Sequence, residues 1–141
     1  MENKFMRLAI EEALAAEAGG DVPVGAVIVK DGQVIARAHN TREAEQNAVR
    51  HAEVSAIERA CKALGSWRLD GCDMYVTLEP CMMCAGAVMQ SRIRRLYFGA
   101  YDKACGCVAS NTALSFKTET YCGIMEQECT DVLRSFFDGL R

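Results

Sequence analysis

The chain reads as an α/β protein of three layers, α/β/α, built around a mixed five-stranded sheet. Three observations lead there. Apolar residues switch between helical and strand periods in the order α-β-β-α-β-α-β-β-α. Strands interleaved with helices call for a sheet covered on both faces. Asp31-Gly32, a tight-turn dipeptide between two apolar runs, makes the opening pair of strands an antiparallel hairpin. The two strand-helix-strand crossovers that follow should be parallel and right-handed.

Taken in order, residues 3–18 read as an amphipathic helix, with Phe5, Leu8, Ala9, Ala13 and Ala16 on one face and Ile10 and Leu14 widening it. Gly19-Gly20-Asp21 ends it. Val24 to Lys30 is apolar and β-branched, and Gln33 to His39 is its hairpin partner. A polar loop runs from Asn40 to Arg50. Ala52 to Leu64 has helical period, with Val54, Ile57, Cys61 and Leu64 on one stripe. Met74 to Leu78 is a short strand, and Pro80 suits the first position of a helix running to about Ser91. Leu96 to Gly99 is the fourth strand and Thr118 to Cys122 the fifth, across a loop containing Gly and Cys. Met125 to Asp138 is a last amphipathic helix that offers Val132, Leu133, Phe136 and Phe137 for burial.

At 141 residues the chain suits one domain spanning residues 1–141. It is half hydrophobic and a quarter charged, enough apolar surface to offset the entropy of ordering. No apolar run has the length to cross a membrane, and Met1-Glu2-Asn3-Lys4 does not open a secretory signal, so no membrane partner is expected. A net charge of -3 speaks against broad nucleic-acid binding and leaves room for a local basic patch. With eight cysteines, no signal and a core that needs no staples, the expected setting is reduced and cytoplasmic. Some of the thiols would then be metal ligands and the rest small buried hydrophobes.

Two short motifs sit at the starts of the two central helices: His51-Ala52-Glu53 and Pro80-Cys81-Met82-Met83-Cys84. At a helix start, the Cys81–Cys84 spacing puts both sulfurs on one face, where they can grip one tetrahedral ion. The partial positive charge of a helix N-terminus favours thiolate, the form that binds metal. His51 would add an imidazole nitrogen. Three protein ligands leave one position of a zinc ion open to water, whose pKa falls to about 7. Glu53, beside the site without being a ligand, can then move protons. Together the two motifs form the signature of nucleobase zinc deaminases. Read alone, Cys-x-x-Cys on a helix is often just core, and His-x-Glu carries little. A closed structural zinc with Cys61, Cys72, Cys105 or Cys107 as fourth ligand is a further alternative.

On these residues the chain resembles the bacterial tRNA-specific adenosine deaminases, of the cytidine deaminase-like superfamily. The resemblance covers nearly the whole chain: Val22-Pro23-Val24-Gly25-Ala26-Val27, Leu64 to Leu69, the run LEPCMMCAGA, Ser91-Arg92-Ile93, the lead-in Gly99-Ala100 to Asp102, and the Phe136-Phe137 ending through Arg141. It implies a cytidine deaminase-like fold and one zinc ion per subunit on His51, Cys81 and Cys84, with Glu53 as the catalytic proton shuttle. It also implies that Asn40, Ala52 and Asp102 bind substrate, with Asp102 near the sugar, and that the chain is a homodimer acting on a tRNA anticodon loop. Without the resemblance, Asn40 is a turn residue and Asp102 a solvated loop acid. The sequence departs from the family at Arg50 and in the run Lys103 to Val108, and it is a few residues short before Tyr121.

Arg92, Arg94 and Arg95 are the densest basic cluster, and the expectation is a basic stripe beside the zinc cleft that meets RNA phosphates, extended by Arg134 and Arg141. Two rival functions remain: a free-base or nucleoside deaminase for guanine or cytosine with the same zinc chemistry, and a non-catalytic zinc module that binds RNA.

Overall fold

The structure is a computed structural model that describes residues 1–111 and 114–140. Helix α1 (Lys4–Ala18) is capped by Asn3, whose side-chain oxygen accepts the N–H of Phe5 at 3.1 Å and of Met6 at 2.9 Å. Strands β1 (Gly25–Lys30) and β2 (Gln33–His39) form the hairpin. Asp31 and Gly32 both take positive φ, 50° and 76°, as the tight turn demands. The register slips after Ile28, leaving Ile35 as an extra residue in β2.

The stretch after β2 is not all loop. It holds a short helix α2 (Arg42–Glu45), and the cap comes from far away. The buried Asp21 carboxylate accepts the N–H of Glu43 at 2.7 Å and of Ala44 at 3.2 Å. Local sequence cannot announce a helix whose capping acid lies on another loop.

Helix α3 (Ala52–Leu64), strand β3 (Cys72–Leu78), helix α4 (Met82–Gln90), strand β4 (Arg95–Ala100), strand β5 (Glu119–Tyr121) and helix α5 (Glu126–Asp138) complete the chain. Pro80 precedes the Cys81 cap of α4 rather than taking the first helical position. The sheet order is β2-β1-β3-β4-β5. β1 is antiparallel to both its neighbours, whereas β3-β4 and β4-β5 are parallel. Thus β1 alone is reversed, and the carboxyl ends of β2, β3 and β4 lie along one edge. The parallel step from β4 to β5 carries no described helix in residues 101–118, although such connections usually use one.

The sheet separates two cores, fed from opposite faces of the central strands. Ala26, Ile28, Met74, Val76, Leu96 and Phe98 face α3 and α4. Val27, Val29, Tyr75 and Ala100 face α1 and α5. The helix faces differ from the expected stripes. In α1, Met6 is fully buried and Leu14 is exposed. In α3 the fully buried positions are Ala52, Ala56 and Ala60, with Ile57, Cys61 and Leu64 flanking. Small side chains let a helix lie close on the sheet, and larger ones then fill its margins. In α5 only Cys129 is buried, and Phe137 is exposed.

Gly25 shows how closely α1 lies on β1. A Cβ there would fall 1.9 Å from the Ala9 carbonyl oxygen and 2.6 Å from the Ala13 nitrogen. Gly25→Ala is expected to lower the unfolding free energy by roughly 3 kcal/mol, the upper end of overpacking costs. Urea denaturation measures this, and a change below about 1 kcal/mol would mean that α1 can lift off the sheet.

Candidate metal centre and catalytic cleft

The single reversed strand brings the two motifs together. α3 follows the carboxyl end of β2, α4 follows that of β3, and both helices pack on the same sheet face. Their N-termini therefore lie side by side. His51 is the cap residue of α3 and Cys81 that of α4, yet neither makes the side-chain capping bond usual there. Their donor atoms lie against each other and against Cys84 instead. His51 Nδ1 lies 3.7 Å from Cys81 Sγ and 3.4 Å from Cys84 Sγ. The three donor atoms all fall within 4.8 Å of one another.

These distances test the fit of a metal. Tetrahedral zinc with ordinary bond lengths needs nitrogen–sulfur separations of about 3.6 Å, and the two found here bracket that value. Among the described residues this is the one such group, and it offers three ligands. The closed four-ligand alternative finds no support. The Cys61 thiol lies 3.8 Å from the Trp67 carbonyl, that of Cys72 3.8 Å from the Asp70 carbonyl, and that of Cys107 3.6 Å from the Cys105 carbonyl. Cys105 lies on the cleft wall, outside the ligand group.

The electrostatics suit a thiolate site. Hydrogen bonds with Cys84 and with His51 hold the Cys81 thiol down at about 3. The same bond pushes the Cys84 thiol up, helped by burial. His51 is raised by its contact with Cys81. Glu53, in the first turn of α3, is 4% exposed. Burial lifts its carboxyl to about 7, against the pull of its own backbone N–H and of His51. A carboxyl poised there can both take and give a proton at neutral pH.

The centre opens into a cleft of about 710 Å³, a size that suits a small-molecule or nucleobase ligand. His51, Glu53 and Cys81 form its floor, with Val24, Leu78, Leu133 and Phe137 as apolar walls. Arg42, Tyr101 and Lys103 also line it. Their convergence on one cleft is not written in the sequence, because they arrive from five separate segments.

The comparisons agree with this geometry. A family model described as MafB19-like deaminase matches residues 1–141. The tRNA-specific adenosine deaminase of Bacillus subtilis is 49% identical over 143 residues, which cover 97% of this chain and 89% of that protein. That of Agrobacterium fabrum is 46% identical, covering 94% and 91%. The chain belongs to the tRNA-specific adenosine deaminase family. A solved structure from a study of A-to-I editing by tRNA:A34 deaminases matches with a TM-score of 0.87 and 44% identity, over 94% of this chain and 100% of that one. The Bacillus subtilis guanine deaminase structure matches less of the chain, 72%, with a TM-score of 0.67 and 39% identity, and spans 66% of that chain. The fold is thus the cytidine deaminase-like arrangement, and the protein is an enzyme, a hydrolytic deaminase.

In this deaminase Asn40 bridges two segments. Its Oδ1 accepts the Ala52 N–H at 2.8 Å, and its Nδ2 donates to the Val22 carbonyl at 3.1 Å. It caps α3 from outside, and its amide has one further N–H and one further lone pair at a position that lines the cleft. Ala52 is fully buried, with its N–H committed to Asn40. Asp102 lines the cleft, and its Oδ1 accepts the N–H of Ala104 at 3.2 Å and of Cys105 at 3.1 Å.

The basic stripe beside the cleft is not found. Arg94 and Arg95 lie at the amino end of β4, the edge of the sheet away from the metal centre. Arg94 is paired with Asp73 at 3.1 Å, and Arg95 with Glu119 at 3.1 Å. Arg92, at φ 63°, turns its guanidinium onto the Met89 and Gln90 carbonyls at the end of α4. Arg134 lies on exposed α5, 3.9 Å from Asp131, and Arg141 is outside the described residues. The basic residues at the cleft are Arg42 and Lys103 instead. Reading charge density along the chain misses them, since each stands alone in sequence.

A second buried carboxylate was also missed. Glu79 is 2% exposed, and burial pushes its carboxyl up, but hydrogen bonds from Ser110, Ala109 and Asp102 outweigh this and hold it below its ordinary value.

The Glu53 shift fixes a pH dependence. Between its ordinary 4.5 and about 7, the folded chain keeps a proton that the unfolded chain has released. Stability therefore falls as pH rises through that window and stays reduced above it. Metal-free Glu53→Gln should be more stable than the wild type at about pH 8, by roughly 2–3 kcal/mol, and the gain should vanish toward pH 4.5. Urea titrations in chelator at the two pH values check this; an equal difference at both would sink the burial account.

Proposed function

We propose that this deaminase converts adenosine to inosine at the wobble position of a tRNA anticodon, with zinc held by His51, Cys81 and Cys84. The single observation that carries the reading is the triangle of one imidazole nitrogen and two sulfurs at zinc-binding separations, with buried Glu53 beside it. The near full-length likeness to tRNA-specific adenosine deaminases supports the substrate. When bound, the ion supplies Lewis acidity, which makes a water nucleophilic at neutral pH.

The protein's own groups do the rest. Water adds its oxygen to C6 of the adenine, and the exocyclic amine leaves as ammonia. Glu53 takes a proton from that water and passes protons to the ring nitrogen and the leaving amine, a task its raised carboxyl suits. Asn40, fixed by Ala52 and Val22, presents its remaining N–H and lone pair to the base edge. The apolar walls exclude bulk water from the reacting carbon. Asp102, on the cleft wall, would meet the sugar, and Arg42 and Lys103 would offer positive charge to neighbouring phosphates. Flipping the base costs least from an anticodon loop, where it is already unstacked.

A homodimer fits the surface of α4. Its sequence is apolar on every side, yet Met82 is 66% exposed and Met83 36%. A helix of that composition is normally covered all round. No helix among the described residues is long and apolar enough to cross a membrane. A cytoplasmic setting agrees with eight free thiols and with a tRNA substrate.

The decisive assay is ammonia release from an anticodon stem-loop with adenosine at the wobble position, beside free guanine and free cytosine. Turnover of the stem-loop is expected. Turnover of a free base alone would reassign the substrate, and binding without turnover would leave a zinc module. Glu53→Ala should lower kcat by about 10²–10⁴ or more at unchanged zinc content; loss of zinc would make Glu53 a ligand instead. For the dimer, Met82→Glu should shift sedimentation from dimer to monomer, and an unchanged dimer would move the interface off α4.

A further inference from the structure

The metal centre and Asn40 leave one deeply buried charge unexplained. Glu79 directly follows β3 and precedes Pro80 and Cys81. Its Oε1 accepts the Asp102 N–H at 3.0 Å and the Ser110 hydroxyl at 2.5 Å. Its Oε2 accepts the N–H groups of Val108 at 3.1 Å, Ala109 at 2.7 Å and Ser110 at 2.8 Å. All five donors come from one loop, and the loop has no helix or described strand of its own.

The fit is close from the loop side too. A Cβ on Gly106 would stand 2.4 Å from Glu79 Cδ and 2.5 Å from the Asp102 carbonyl oxygen. Gly106 pairs with Cys81 as an isolated bridge, and the Cys107 N–H donates to the Pro80 carbonyl at 2.9 Å. The loop is thus laced to the three residues that lead into the metal centre. The same loop supplies Asp102, Lys103, Ala104 and Cys105 to the cleft wall.

We propose that Glu79 is a positioning residue whose carboxylate seats the 102–110 loop on the metal-bearing segment and so sets the wall that receives the substrate. The inference deepens the tRNA reading and rests on it for the kinetic effect. A carboxylate is required because every one of its neighbours donates. Glutamine at this position turns an NH₂ toward N–H groups, leaving donors unpaired in a buried seat. The metal ligands stay on their helix starts, so what moves is the wall, and with it substrate binding.

The test uses Glu79→Gln, Gly106→Ala and the double variant, in the zinc-loaded full chain. In Glu79→Gln, the amides of Val108, Ala109 and Ser110 should exchange about tenfold faster or more. KM for the stem-loop should rise about tenfold, with kcat within about threefold and zinc content unchanged. Gly106→Ala should do the same, and the double variant should be no worse than either single one, because both disturb one seat. If Glu79→Gln does not fold, Ser110→Ala removes one donor and should raise KM about two- to threefold. Unchanged exchange, an unchanged KM with only a lower melting temperature, or lost zinc overturns the proposal. If the wild type fails to deaminate the stem-loop, the substrate reading falls, and hydrogen exchange still decides the role of Glu79.

Discussion

Everything in this protein depends on the approach of one imidazole and two thiols at two helix starts. Two of the three, His51 and Cys81, sit at cap positions, and neither makes the usual side-chain capping bond. The thiol of Cys81 is held down by its neighbours instead. The α3 N-terminus is then served by Asn40 from the preceding loop. Capping is thereby taken off the histidine: a loop amide serves the helix N-terminus, and the imidazole stays free to face the two thiols.

Two buried glutamates near this centre show how surroundings divide one residue type into two roles. Glu53 is desolvated with few donors, and its carboxyl rises to about 7. Glu79 is also scarcely exposed, but N–H and O–H groups surround it, and its carboxyl falls. The first is suited to exchanging protons and the second to holding a permanent charge. Seating the loop that follows β4 then stands in for a crossover helix, of which this parallel connection has none among its described residues.

The cleft is a composite. Helix α5 leaves Phe137 partly uncovered, and that ring faces the same space as Leu133 and Tyr101. Arg42 comes from a short helix whose cap is supplied by Asp21. A substrate meets parts of the chain that are remote in sequence and share only an edge of the sheet.

Much of this was legible without coordinates. The element order apart from the short α2, the hairpin turn at Asp31-Gly32, the helix from Ala52 to Leu64 and the grouping of His51, Cys81 and Cys84 as candidate ligands all depend on short-range pattern: periodicity, turn chemistry and motif spacing. What the pattern could not hold was anything fixed by pairs of distant residues. The reversal of β1, which aligns the two helix starts, is a pairing choice. The alanine face of α3 was chosen by the closeness of the sheet and not by hydrophobicity. Arg94 and Arg95 looked like a patch because they are adjacent in sequence, and the strand direction carried them to the far edge, where Asp73 and Glu119 neutralise them. Glu79 looked like part of a motif until its donors, some thirty residues on, folded back over it. Local chemistry wrote the catalytic groups into the sequence; only the tertiary fold, by closing long loops against a sheet edge, decided what surrounds them.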